Sequence, residues 1–291
     1  MEAIKTLMKK KCPVLFAILR RIWIFMHQVK FFLCYTLPKN VGYLKRKFFP
    51  SLPSKYSRVK TLKDIHKGKK CFIIATGPSL TIEDLNMLRS GKRDGYITMS
   101  LNSIVLSYAR TDWRPDYWAM IDWAVSENIF AQMGSSYDLW HNIDPSHILL
   151  GGDFGKVYSL PEEVILFPHI AQRFNDRVKF SDNCFERVCE GFTITYSCIQ
   201  LAVYMGCREI YLLGVDCNYT GSNDHAFGFI VDKNTQQAHE KRADYLAYRM
   251  RCAYEAAKEY ADSHGIKIYN ATRGGKLEVF ERITLEDALK A

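Results

Sequence analysis

Apolar positions along this chain follow two rhythms. Short uninterrupted runs recur at 71–75 (Cys-Phe-Ile-Ile-Ala), 96–100, 117–121, 147–150, 164–167, 209–214 and 266–270. Runs this short and this apolar predict strands buried on both faces, as in a parallel sheet covered by helices. Longer stretches between them carry helical spacing. The clearest is Ala243, Leu246, Ala247, Met250, Ala253, Tyr254, Ala257, Tyr260 and Ala261, one stripe ending before Gly265, which suits a helix C-terminus. The alternation predicts an α/β class with a doubly wound, Rossmann-like, mostly parallel sheet. No internal repeat or low-complexity tract interrupts it.

The first 60 residues break this pattern. Over 13–36 the apolar positions Leu15, Ile18, Leu19, Ile22, Phe25, Met26, Val29, Phe32 and Leu33 recur at helical spacing. Arg20, Arg21, His27, Gln28 and Lys30 interrupt any run of the ~20 apolar residues that a membrane span needs. A secretory signal is poorly supported, because the first apolar run is only 14–19 and no small-residue cleavage site follows. Pro50, Pro53 and the polar residues between them read as a linker. The expected division is a basic amphipathic segment over 1–60 and one globular domain over 61–291.

Charge sharpens the division. The net charge of +9 is uneven: residues 1–60 carry 14 Lys/Arg against one acid, Glu2, while the remainder holds 26 basic and 30 acidic residues. The body therefore lacks a strongly basic balance, and nucleic acid is not an expected partner. A helix flanked by Lys9-Lys10-Lys11 and Lys45-Arg46-Lys47 fits a peripheral anchor on an anionic membrane through residues 9–47. The other reading is a helix packed on its own domain or in a homo-oligomer interface; the membrane reading is preferred. Nine cysteines without a C-x-x-C pair or zinc-type spacing suit reduced thiols. The expected location is cytoplasmic, on the inner face of the membrane.

Candidate chemistry gathers after the strands. Thr76-Gly77-Pro78-Ser79-Leu80 follows the first run, and Thr81 with Asp84 three residues on makes a capping-box pattern for the next helix. This layout predicts free backbone N–H groups and a helix dipole aimed at one spot, which suits a phosphate. A single glycine matches neither the dinucleotide fingerprint nor the P-loop. Asn102, Asp122, Asp216-Cys217-Asn218-Tyr219 and Asn270-Ala271-Thr272-Arg273 follow later strands. In such sheets ligands sit beyond the carboxyl ends of the strands, so these residues are expected to converge on one edge. No Asp-x-Asp occurs, so a metal-held sugar nucleotide is not supported and no metal site is assigned. No resident cofactor is expected either.

Residues 190–219, a helix, a glycine, a strand and a polar terminus, together with Gly77-Pro78-Ser79-Leu80, resemble the bacterial sialyltransferases of glycosyltransferase family 42 and the related Maf-like and MptE-like domains. The resemblance covers roughly 70–282. It implies a CMP-sugar as donor substrate, and the basic amphipathic N-terminus favours a glycan or lipid-linked acceptor, expected in surface polysaccharide synthesis. It further implies nucleotide contacts at Thr76, Gly77, Pro78, Ser79 and Asn102, with Thr76 standing where the family has asparagine. Thr193 and Thr195 match a family Thr-Ser-Gly, the glycine being lost. Tyr219, followed six residues later by His225-Ala226-Phe227, matches a tyrosine and Tyr-Ala-Phe that line the leaving phosphate. His239 stands where the family has its general base, although the roles of His225 and His239 could be exchanged. Asp122, Asp216 and Asn218 complete the expected nucleotide-binding set. The MptE-like branch offers a different chemistry, diphosphate transfer from ATP with Mg²⁺ on Asp122 and Asp216. A third reading is a non-catalytic subunit of a polysaccharide assembly complex.

Overall fold

The computed structural model describes residues 9–90, 95–133, 143–170, 177–218, 225–229 and 243–290, and everything below refers to these. The chain forms two compact units, Met1–Leu52 and Pro53–Ala291. The second unit begins ahead of the expected boundary at 61, because Val59 and Leu62, on the 3₁₀ turn Ser57–Leu62, are buried in its core.

In the first unit, helix α1 (Pro13–Phe31) runs through a π-helical turn (Phe32–Thr36) into helix α2 (Leu37–Phe48). Pro38 explains the wide turn. Its ring lacks an N–H and crowds the carbonyl one turn back, and a π-turn relieves that conflict without breaking the helix.

The second unit is built on eight parallel strands: β1 (Lys70–Ile74), β2 (Tyr96–Leu101), β3 (Tyr117–Met120), β4 (Ile148–Gly151), β5 (Ile165–Phe167), β8 (Glu209–Leu213), β9 (Lys267–Asn270) and β10 (Glu281–Arg282). Their order is β10-β9-β8-β1-β2-β3-β4-β5, and every pairing is parallel. A two-residue pair, β6 (His169–Ile170) with β7 (Val188–Cys189), lies outside this sheet. The seven expected strands are all present; β6, β7 and β10 are too short to show a period in the sequence.

Helices connect the strands: α3 (Ile82–Ser90), α4 (Trp123–Met133), α5 (Ile194–Tyr204), α6 (Ala243–Ser263) and α7 (Leu285–Lys290). Along the chain, strands are added from β1 toward β5 in one half and from β8 toward β10 in the other. The direction of winding therefore reverses between β1 and β8. Helix α5 is buried along nearly its whole length and packs on β1, β2 and β3. Its one amide, Gln200, is fully buried yet satisfied: its oxygen accepts from the N–H groups of Ser181 and Cys189, and its nitrogen donates to the carbonyls of Cys189 and Tyr196. Buried polar groups persist on such terms.

No helix among the described residues is long and apolar enough to cross a membrane. The thiols of Cys71, Cys184, Cys189 and Cys198 are pushed up chiefly by burial, with a hydrogen bond to Cys207 leading at Cys71. They fill space rather than react.

Candidate active site at the switch point

Strands β1 and β8 leave the sheet side by side, and their following loops are stitched together. Ala75 N–H donates to the Leu213 carbonyl at 2.8 Å and Gly77 N–H to the Gly214 carbonyl at 2.9 Å. Ser79 then turns to the β8 side, donating its hydroxyl to Asp216 Oδ2 at 2.9 Å and its N–H to the same oxygen at 3.3 Å. Asp216 is held from behind as well, its carbonyl accepting from Lys276 N–H at 2.7 Å.

This geometry corrects the reading of Gly77. Its N–H and those of Ser79, Leu80 and Thr81 are all satisfied within the protein, the last by Asp84 Oδ2 at 2.9 Å. The turn is therefore no bare phosphate cradle of free amides. Glycine is required for another reason: a Cβ there would run into the Asp216 carboxylate and the Gly214 carbonyl. Close approach of two strand ends, not of a ligand, excludes a side chain.

The expected capping box is present, because Asp84 N–H also donates to Thr81 Oγ1 at 3.3 Å. The sequence did not disclose that Asp84, only 1% exposed, is also the carboxylate for Arg273. Arg273 grips it with Nη1 at 2.7 Å and Nη2 at 2.5 Å, and Nη2 also donates to the Ser79 carbonyl at 3.3 Å. A charge-assisted fork thus ties the loop after β9 to the start of α3 and sets a half-exposed guanidinium beside the Gly77 turn.

The other expected residues separate into groups. Pro78 is exposed on the turn. Thr76 is buried and its hydroxyl accepts from Ser103, so it faces the sheet interior rather than the crevice. Thr195 is buried inside α5, whereas Thr193 is its N-cap, accepting from Thr195 N–H. Both contacts were expected with a nucleotide; burial removes Thr76 and Thr195 from reach in this structure. Asn102 directly follows β2, at φ 46°, with its carbonyl accepting from Trp118 Nε1. Asp122 is exposed after β3 and accepts from Val125 N–H at the start of α4. Asn218 follows Asp216, and its side-chain oxygen is buried with no described donor reaching it.

His225 is brought to the same edge. Ala226 N–H donates to the Thr76 carbonyl at 2.8 Å, tying this segment to the end of β1, and the His225 ring meets Phe229 edge-on at 5.2 Å. Tyr219 and His239 lie outside the described residues. Burial pushes the Cys217 thiol up to about 12, with Asp216 adding to the effect, so it is no thiolate nucleophile near neutral pH. A cavity of about 500 Å³ lies elsewhere, lined by residues such as Lys55, Arg58, Tyr158 and Glu162, and includes none of the expected site residues.

Hydroxyl, carboxylate and guanidinium groups thus collect at the switch point of a doubly wound sheet, the place where such α/β folds take their ligands. Residues 46–222 match the family described as 6-hydroxymethylpterin diphosphokinase MptE-like, and the chain belongs to that family. A similar solved structure is a Maf glycosyltransferase from Magnetospirillum magneticum AMB-1, at 13% identity and a TM-score of 0.43, covering 80% of this chain and 38% of that one. This chain thus spans well under half the length of that protein. No curated protein matches the chain in sequence.

Proposed function

We propose that this protein is a glycosyltransferase that takes a CMP-linked sugar as donor and passes the sugar to a hydroxyl of a glycan or lipid-linked acceptor. The observation that carries this reading is a pair of acceptor oxygens at the switch point. Asp216 spends Oδ2 on Ser79, leaving Oδ1 available, and Asn218 Oδ1 is buried without a described donor. A buried acceptor left unmatched costs about 1–3 kcal/mol, so this arrangement favours a ligand that brings donors. Ribose hydroxyls and a cytosine amine are such donors, and the Arg273 guanidinium beside the turn suits the attached phosphate.

In the reaction the acceptor oxygen bonds to the anomeric carbon as the bond from that carbon to the phosphate oxygen breaks. The acceptor proton passes to His239, and the departing phosphate takes hydrogen bonds from Tyr219 and His225. No step requires a metal.

The family description favours a second reading, transfer of diphosphate from ATP to an alcohol with Mg²⁺ on Asp122 and Asp216. In that reading Asp216 Oδ1 and the Asp122 carboxylate would hold the cation, and the hydrogen bonds from Ser79 and Val125 would orient them. Thermal shift with CMP, CDP, UDP, GDP and ATP, each with Mg²⁺ or with EDTA, separates the readings. A ligand at a hundredfold excess over Kd should add about 2.7 kcal/mol to the folded state. Stabilisation by CMP in EDTA supports glycosyl transfer; stabilisation by ATP only with Mg²⁺ replaces it with diphosphoryl transfer. No response to any nucleotide points to the non-catalytic subunit.

A further inference from the structure

The first unit is a helix with its oily side uncovered. In α1, the side chains of Leu15, Ile18, Leu19, Ile22, Met26 and Val29 fall within an arc of about 100° at 3.6 residues per turn. In α2, Leu37, Val41, Leu44 and Phe48 stand at i, i+4, i+7 and i+11, a still narrower stripe. None of the side chains in either helix is buried, and Phe48 is 65% exposed. Apolar rows of this length are rarely left to water on a soluble protein.

Charge says what covers them. Off the α1 stripe Arg20 and Arg21 stand among further exposed apolar residues such as Trp23 and Phe31, and the stripe of α2 is bordered by Lys45 and Lys47, with Arg46 opposite. Neither helix contains an acidic residue. A second copy of this chain would bring the same excess of positive charge against itself, and like charges repel. A bilayer with anionic headgroups supplies both missing partners at once, an apolar layer for the stripe and negative charge for its borders. Lysines at the margin can bury their stems while keeping their ammonium groups among the headgroups. Spanning is not the alternative, since neither helix is apolar enough to cross.

We propose that residues 9–48 lie flat on an anionic lipid surface, with the α1 and α2 stripes sunk to the boundary of the acyl chains and the basic residues at headgroup level. This holds the domain at a membrane whatever reaction it catalyses, and independently of the reading of the switch-point site.

The test uses the full-length protein and sedimentation with vesicles of phosphatidylcholine, alone or mixed with phosphatidylglycerol. The protein should pellet with the mixed vesicles, weakly with phosphatidylcholine alone, and less as salt rises. Val41→Gln/Leu44→Gln and Ile22→Gln/Met26→Gln should each lower partitioning by about a hundredfold, the worth of two buried aliphatic side chains. Lys45→Gln/Arg46→Gln/Lys47→Gln should weaken binding to mixed vesicles and flatten its salt dependence. Circular dichroism checks that each variant keeps its helices. Wild-type protein that stays in the supernatant, binds both vesicles equally, or binds no better than the glutamine variants overturns the proposal. So does a dimer, seen by analytical ultracentrifugation without lipid, that the same variants dissociate while vesicle binding is absent.

Discussion

The two edges of the parallel sheet are made by the same strands but finished differently. At the amino-terminal edge the loop before β1 is closed onto the end of α5, with Asp64, His66 and Gly68 N–H groups donating to the carbonyls of Tyr204, Met205 and Gly206. His66 Nε2 shares a hydrogen bond of 2.8 Å with the Tyr117 hydroxyl, and His147 lies against the same ring. Asp116 accepts from the Thr98 N–H and hydroxyl at 2.8 and 2.9 Å, stapling β3 to β2. Apart from His66 Nδ1, which is buried with no described partner, these groups satisfy one another and tighten the fold. At the carboxyl edge, Asn102, Phe192, Cys217 and Phe227 all hold positive φ, a conformation that costs a non-glycine residue of order 1–3 kcal/mol. Asp64 alone does so elsewhere among the described residues. Acceptors at this edge are left with capacity to spare. One edge is closed by its own contacts, and the other keeps polar groups and backbone strain together.

The largest expected effects test the proposed chemistry. His239→Ala should reduce transfer from a CMP-sugar by about 10²- to 10⁴-fold with donor affinity little changed, the usual loss for a missing general base. His225→Ala should lower both transfer and slow donor hydrolysis, because phosphate departs in each. Transfer and hydrolysis measured side by side on both variants decide the roles. Small equal effects would remove both histidines from the chemistry.

Two carboxylates set the edges directly against each other. Asp216→Ala should weaken CMP binding about ten- to a hundredfold, the worth of a hydrogen bond to a charged group. Asp116→Ala should leave binding within about twofold while costing about 1–3 kcal/mol of stability, because the Thr98 donors lose their acceptor. Isothermal calorimetry and denaturant unfolding on both variants read the contrast. If Asp116→Ala harms binding as much as Asp216→Ala does, the division between the edges fails.

The glycines offer a purely steric version. Gly77→Ala drives a methyl into the Asp216 carboxylate and the Gly214 carbonyl, and overpacking of this kind costs about 1–3 kcal/mol. Gly95→Ala, just before β2 at the other edge, meets nothing within 4 Å and should be near neutral. Thermal denaturation of the pair checks this. Equal losses would mean the approach of β1 to β8 is looser than it stands.

The smallest effect concerns pH. Burial, with Lys69 adding to it, holds the His66 pKa below its ordinary value of 6.5. The unfolded chain therefore takes up a proton before the folded one does. Stability from this residue is complete above pH 6.5 and is lost as pH falls from there toward the depressed folded value. Melting temperature should drop over that interval, and His66→Gln should flatten the drop. Unchanged pH dependence in the variant would assign the loss to other groups.

Much of this architecture was legible because burial writes itself into a strand. Seven apolar runs mark seven strands, since a strand covered on both faces tolerates few polar residues along its length. The Thr81–Asp84 box is local too, for a helix start is settled within one turn. The first N-terminal helix was equally plain in its period and charge, whereas α2, whose basic end had been read as a flank, and the π-turn ahead of Pro38 were not. The site was legible only as an address. Position after a strand places Gly77, Ser79, Asp216 and Asn218 on one edge, but does not say which groups meet. The turn amides of Gly77 and Ser79 looked free because their acceptors, Gly214 and Asp216, lie more than a hundred residues away.

Sequence by itself therefore determined the class of fold, seven of its strands, the separate basic segment and the edge where chemistry collects, because each follows from local periodicity or local charge. Tertiary structure alone decided that winding reverses between β1 and β8, that Asp216 rather than a phosphate meets the Gly77 turn, and that Asp84 pairs with Arg273. Those outcomes depend on which strand ends become neighbours. No pattern confined to one stretch of chain carries that information, because the contacts form between segments whose adjacency only the folded sheet creates.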